Sequence, residues 1–263
     1  MILISYWDLL TLSFLVFLLG GVLWLNGFSQ VKQLWWATLR MAAQLLFMGV
    51  WLSWVFYAEN VLWVVLVGLV MLSAAGYEIS KRQQYRLNKF HGVWIGLLAL
   101  SFTSLMLLIG VLVFVIQPEP WYQPQYLIPL LGMLLGNSMT SIGVGLDTLT
   151  RSAVQLKAKI EAQLALGKTA KQSMQFIKEQ SLHAAMIPVI NMLVAAGIIS
   201  LPGMMTGQIL AGADPAEAVK YQIMIMLLIA TSTGLGTLIA IEIASRRLFD
   251  DRQRLQLDVL SKA

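Results

Sequence analysis

Long runs of apolar residues, each the length of a bilayer crossing, recur along this chain and leave it few folds to choose from. A hydrocarbon core of about 30 Å takes roughly 20 residues of helix. In lipid the backbone N–H and C=O groups must be satisfied within the protein, which makes such a run a helix. Seven segments qualify: Tyr6–Leu25, Leu39–Tyr57, Val61–Tyr77, Val93–Ile116, Tyr126–Leu146, Leu182–Leu201 and Tyr221–Ala244. The sixth is the weakest, because it holds Pro188, Asn191 and Gly197. The expected fold is an all-α polytopic transmembrane bundle of about seven spans, with residues 1–263 acting as one unit. No basic stretch precedes the first run, and it lacks a clear small-residue cleavage site. It is read as a retained helix and not a signal peptide.

Composition narrows the function. Hydrophobic residues make up 58% of the chain and charged residues 12%, about half the charged share of a soluble domain. There is no room for a soluble enzymatic domain of ordinary size. The absence of cysteine excludes disulfides, thiolate metal sites and cysteine nucleophiles. His91 and His183 lie far apart, neither in an HExxH pattern. No Ser/His or paired-aspartate constellation of an intramembrane enzyme is visible. Gly234-Leu235-Gly236 reads as small-residue packing and not as a phosphate loop.

The charges set the orientation. Of the 18 lysines and arginines, all but Lys220 fall in alternate connections or the tail. They are Lys32 and Arg40; Lys81, Arg82, Arg86 and Lys89; Arg151, Lys157, Lys159, Lys168, Lys171 and Lys178; and Arg246, Arg247, Arg252, Arg254 and Lys262. The opposite loops hold Glu59, Glu119, Asp214 and Glu217. The positive-inside rule then puts the N-terminus outside and the C-terminus in the cytoplasm. The net charge of +5 is topological, so nucleic acid is not expected as a partner, while membrane lipid is. The expected location is the inner (plasma) membrane, as a multi-pass protein. QPEPWYQP (117–124) reads as an outer turn with Trp121 and Tyr122 at interface depth.

The longest hydrophilic stretch, residues 151–180, lies on the cytoplasmic side. Leu156, Ile160, Leu164 and Gly167 recur as one apolar helical stripe. Gly167 predicts a break between two short helices or a close backbone approach. The plain alternative is an amphipathic linker on the bilayer surface. Within the stretch, Glu161-Ala162-Gln163-Leu164-Ala165-Leu166-Gly167 resembles the EAA motif of ABC-transporter permeases, with Ile177 ten residues after the glycine. The Leu-Pro that follows in that pattern is replaced by Lys178-Glu179-Gln180. The resemblance implies a coupling helix docked in a groove of a separate ATPase subunit, with Glu161, Ala162, Ala165 and Gly167 in the contact.

A second resemblance covers most of the chain and is densest over 126–245. IPLLGMLLGNSMT (128–140) and IISLPGMMTGQILAGADPAEAVKYQI (198–223) look like the signature of the FetB-like iron-export permeases, related to plant aluminium-tolerance membrane proteins. It implies a permease that exports iron and protects against oxidative stress. It also implies a homodimer of permeases and two ABC ATP-binding subunits. The chain has no Walker A pattern, so the expected cofactors, ATP and Mg, belong to the partner and none is bound here. The plant relatives have been linked to nucleotide-sugar transport, and EAA-like loops are more usual in importers. Another substrate, or import, therefore stays open. A passive channel or membrane anchor is the reading from a different class.

Polar groups at membrane depth are costly and face a partner or a cavity. Asn137, Ser138 and Thr140 with Ser141 in span five, and Asn191 in span six, line the translocation path or join helices. Gly132 and Gly136 make a GxxxG step for close approach. After span six, Ser200-Leu201-Pro202-Gly203 breaks the helix. Residues 201–220 are too apolar for a free loop and predict an outer re-entrant or gating segment. Met204, Met205, Gln208, Asp214 and Glu217 are its candidate path residues. Methionine thioethers suit soft ions, and iron prefers oxygen and nitrogen donors. The metal ligands themselves are not assigned. Glu78 and Glu242 can each pair with an arginine four residues on, or form an inner cation mouth.

Overall fold

A computed structural model describes residues 5–58, 60–87 and 91–262. Glu59 and Lys89, used above for orientation, and the side chain of His91 lie outside the described residues. The chain divides into two compact units, residues 1–60 and 61–263.

The first unit is a hairpin of α1 (Tyr6–Leu25) and α2 (Val31–Ala58). Ser5 caps α1 by accepting from the Trp7 N–H, and Asp8 accepts from the Ser5 N–H at 3.0 Å. At the far end Gly27 takes φ 75°. Its N–H reaches the Trp24 carbonyl and the Phe28 N–H reaches that of Leu23. That pair of bonds is a Schellman stop, which favours glycine. The helices cross closely at Gly20, where any Cβ would strike the Trp35 indole. The Phe17 and Trp35 rings meet beside it in a tilted contact, with centroids 5.9 Å apart. Most of the large apolar side chains of the pair are exposed, although Val31 and Val55 are buried, and a bilayer covers such a surface.

The second unit holds α3 (Val61–Lys81), α4 (His91–Val111, continued by a π-helical turn to Ile116), α5 (Pro124–Gln155), α6 (Lys157–Ala165), α7 (Ala170–Ala195), α8 (Gly203–Leu210) and α9 (Pro215–Arg247). Two short strands, β1 (Tyr85–Leu87) and β2 (Leu260–Lys262), pair antiparallel. The packing reveals chain direction. Gly76 meets Leu97 and Gly96 meets Ile79, so α3 and α4 are antiparallel. Ser138 bonds Ser232 and Thr233, and Gly145 faces Thr237 and Ile241, so α5 and α9 run parallel. Ala185 and Met186 of α7 sit against Gly145 and Gly234, with Lys178 beside Glu242, so α7 runs against both. Long helices α5 and α9 start on Pro124 and Pro215, a residue that suits a first helical position.

Among the described residues six helices are long and apolar enough to cross a membrane: α1 to α5 and α9. The sixth predicted segment, Leu182–Leu201, is not a continuous span. Helix α7 begins in the hydrophilic stretch, runs through Pro188 without ending and stops at Ala195. Its apolar part, 182–195, is about 21 Å long at 1.5 Å per residue. Gly197, at φ 85°, and Pro202 interrupt the helix before α8. Because α5 and α9 are parallel, the chain still returns between them, by the broken element α7–α8. The first run has the expected bounds, Tyr6–Leu25, and the others are longer than expected: α2 begins at Val31 and α5 reaches Gln155.

Candidate functional site

The basic end of the second unit gathers what the sequence singled out in 151–180. Helices α5 and α9, of 32 and 33 residues, are about 48 Å long and outrun a 30 Å core by roughly 18 Å. Past the end of α5 the chain folds into α6, a tight turn and the first turns of α7. Ile160 is fully buried in one cluster with Met174 and Ile177, and Leu156 and Leu164 pack against it. The apolar stripe from Leu156 to Leu164 therefore faces inward, while Gly167 is exposed. Lys159 lies 4.1 Å above the Phe176 ring, a cation–π contact that ties α6 to α7.

The turn is dictated locally. Gly167 has φ 84°, its N–H donates to the Leu164 carbonyl and the Lys168 N–H to that of Gln163. This is a second Schellman stop and gives the expected break. Thr169 then opens α7 with a capping box: its hydroxyl accepts from the Gln172 N–H while the Gln172 amide oxygen accepts from the Thr169 N–H. The result presents Glu161, Ala162, Ala165 and Gly167 together on the exposed face, with Leu166 at the tip 81% exposed. Lys157 stands 3.7 Å from Glu161.

The tail after α9 is the part sequence reasoning missed. Leu248 accepts from the Gln256 N–H, and Phe249 bridges Leu255. Asp250 accepts from the Arg252 and Arg254 N–H groups at 3.0 and 2.7 Å and from Arg254 Nε at 2.8 Å. These donors, the Arg254 N–H first, hold the Asp250 carboxyl below its ordinary pKa of 3.8. Gln253 accepts from the Ala170 N–H at 2.9 Å, which satisfies an orphan donor of α7. Residues 260–262 finally pair with β1 in the α3–α4 connection. The tail is thus a strap across the basic end. Its signal was the alternation Leu255, Leu257, Val259, a two-residue period typical of extended chain.

Charged groups knit the same end. Glu242 accepts from Lys178 at 2.9 Å and from Arg246 at 3.0 Å, and Glu78 lies 3.9 Å from Arg82. The Lys178 link joins α7 to α9. Asp147, which the sequence reading passed over, accepts from the Gln84 N–H at 2.7 Å and fixes the turn after α3. A carboxylate directly after the apolar run 126–146 was its signal.

The path candidates are not brought together. Ser138 is fully buried in a hydroxyl cluster, 3.1 Å from Ser232, which in turn lies 3.1 Å from Ser104. Asn137 donates to the Met133 carbonyl at 2.8 Å. Thr140 donates to the Gly136 carbonyl and accepts from Arg82 at 3.5 Å. Asn191 is exposed on α7. At the opposite end Met204 packs partly buried against the core, Met205 is half-buried, and the Gln208 amide oxygen is buried without a partner. Asp214 caps α9 by accepting from the Glu217 N–H, and Glu217 pairs with Lys220 at 2.7 Å. Among the described residues no three His, Asp or Glu side chains converge as a metal cage would require.

Residues 6–249 match the family described as "Uncharacterised protein family (UPF0014)". The chain belongs to the UPF0014 family. Over 252 residues it is 37% identical to the UPF0014 membrane protein slr1647 of Synechocystis, covering 94% of this chain and 96% of that one. It is 30% identical to the "Probable iron export permease protein FetB" of Escherichia coli, over 88% and 87% of the two chains. The Arabidopsis thaliana "Protein ALUMINUM SENSITIVE 3" is 32% identical, over 84% and 79%. No solved structure matches. The chain is a multi-pass helical membrane protein of this family, related to a permease and to plant members as the signature residues implied.

Proposed function

We propose that this chain is the membrane-spanning permease subunit of an ABC transporter that moves iron out of the cytoplasm and so protects against oxidative stress. The observation that carries the coupling role is the exposed Glu161–Gly167 face, packed from behind through Ile160 and Leu164 of α6, just past the end of α5. Two permeases and two separate ATP-binding subunits make the working unit. The ATP-binding subunits use ATP and Mg, and the permease is not itself an enzyme. A push on α6 passes into α7, and from α7 through Lys178 and Glu242 into α9. At the other end α8 sits between the left-handed turns at Gly197 and Gly212, which suits a gate over residues 201–220. Oxygen and nitrogen donors on Asn137, Gln208, Asp214 and Glu217 fit ferrous iron better than Met204 and Met205 do.

The name of the Escherichia coli relative favours iron export, the plant relative favours a second reading with another substrate, and the EAA-like loop, more usual in importers, favours the opposite direction. A passive channel or anchor is the competing class. The test is co-expression with a candidate ATP-binding subunit, purification, and assay of wild type beside Glu161→Arg. The variant is expected to lose the subunit and substrate-stimulated ATPase. Undiminished association and activity would sink the coupling role. Cellular iron should rise on deletion under iron and peroxide load, and no rise would count against iron export.

A further inference from the structure

The exposed face at the α6–α7 turn does not stand alone. A groove of about 680 Å³ runs between it and the strap, with Glu161, Gly167 and Lys168 on one bank and Arg252, Arg254 and Leu255 on the other. The two banks are fixed to each other, because Gln253 accepts from the Ala170 N–H. Arg254 is held by Asp250, and Glu161 is offset by Lys157. The cations of Lys168 and Arg252 make no ion pair among the described residues, so the groove carries uncompensated positive charge. Leu166 projects at its edge with 81% of its surface exposed. It does so past the end of α5 at Gln155, outside the apolar run 126–146. A rigid, exposed leucine beside unpaired cations is an anchor within a charged rim, the layout of a protein interface.

We infer that the seat of the ATP-binding subunit is this two-banked groove, with the C-terminal strap as its second bank. Leu166 enters an apolar pocket of the subunit, and carboxylates rimming that pocket meet Lys168 and Arg252. The inference rests on the permease reading and adds to it the strap, a partner surface with an acidic rim, and Arg252 as its marker. Its charge component makes assembly salt-sensitive.

The experiment captures the co-expressed ATP-binding subunit on tagged permease variants. Arg252→Glu and Leu166→Asp are each expected to lower capture at least tenfold, and Arg252→Lys to keep it near wild type. Because the chain has no cysteine, Arg252→Cys carrying a cysteine-reactive photocrosslinker gives a second readout on an intact strap, and the expected product joins it to the ATP-binding subunit. Wild-type capture by Arg252→Glu, with capture lost in Glu161→Arg, overturns the strap and leaves the permease reading standing. Capture unchanged in all variants overturns both. A crosslink from residue 252 to lipid alone also overturns the proposal, since it makes the face a seat for anionic headgroups.

Discussion

Gly145 has no room for a side chain. A Cβ there would meet Thr237, Ile241 and Ala185 at 3.0–3.4 Å, so α5, α7 and α9 converge on it. Gly236 is nearly as tight, against Thr103 and Ile142. Yet the glycine spacing most visible in the sequence, Gly132 with Gly136, is not where the helices press. Gly136 faces open space and Gly132 touches only the flexible end of Met71. Spacing announces that a close approach is possible, while the neighbour that makes it necessary comes from far along the chain. Gly145→Leu is expected to lower stability by about 1–3 kcal/mol through overpacking. Gly136→Ala should raise it by about 0.5–1 kcal/mol, because nothing opposes a Cβ there and alanine favours the helix interior. Thermal unfolding of the detergent-solubilised protein, followed by tryptophan fluorescence, distinguishes the two.

Elements ended where local chemistry was strong. The break at Gly167 was legible because a glycine past a helix end supplies the left-handed residue of a Schellman stop at no steric cost. The Glu78–Arg82 and Glu242–Arg246 pairs were legible because four-residue spacing puts both partners on one helix face. The strap was not read, because its bonds reach back to Ala170 and β1, far from it in sequence. Its fold-back depends on the ionised Asp250 carboxylate. The folded pKa lies below the ordinary value. The stabilisation is therefore complete above the ordinary aspartate pKa and is lost only as pH falls through the folded one. Limited carboxypeptidase digestion should leave the strap equally protected from about pH 5 to 8, where the carboxylate stays charged. Asp250→Asn should speed its release across that range. Equal protection of the variant and wild type would show that the carboxylate does not hold the turn.

Over the whole second unit, direction is the organising fact. α3, α5 and α9 run one way and α4 and α7 the other, so both proline-started long helices deliver their basic ends to the strap and the α6–α7 turn. The α7–α8 return must therefore reach the opposite end although it is not one unbroken apolar helix. With no native cysteine to remove, single cysteines can report this. A membrane-impermeant maleimide should label Leu166→Cys and Arg252→Cys from one side of oriented vesicles, and Trp121→Cys and Ala213→Cys from the other. Labelling of Leu166→Cys and Ala213→Cys from the same side would show that α7–α8 turns back within the membrane.

Taken alone, the sequence determined the bilayer as solvent, the alternation of basic and acidic connections, the break at Gly167 and the family signature. Each of these is a local or compositional property. A run of apolar residues, a cluster of lysines or a glycine after a helix acts through its own neighbours in the chain. Tertiary structure decided the rest. It turned Ser138 inward to a hydroxyl cluster while Asn191 faces out, set Lys178 against Glu242, and ended the helix of the sixth segment at Ala195, short of Leu201. It also laid the C-terminal strap beside the face at Glu161–Gly167. Those outcomes depend on which helices meet and in what direction, energies shared between residues far apart, and no window along the chain contains both partners.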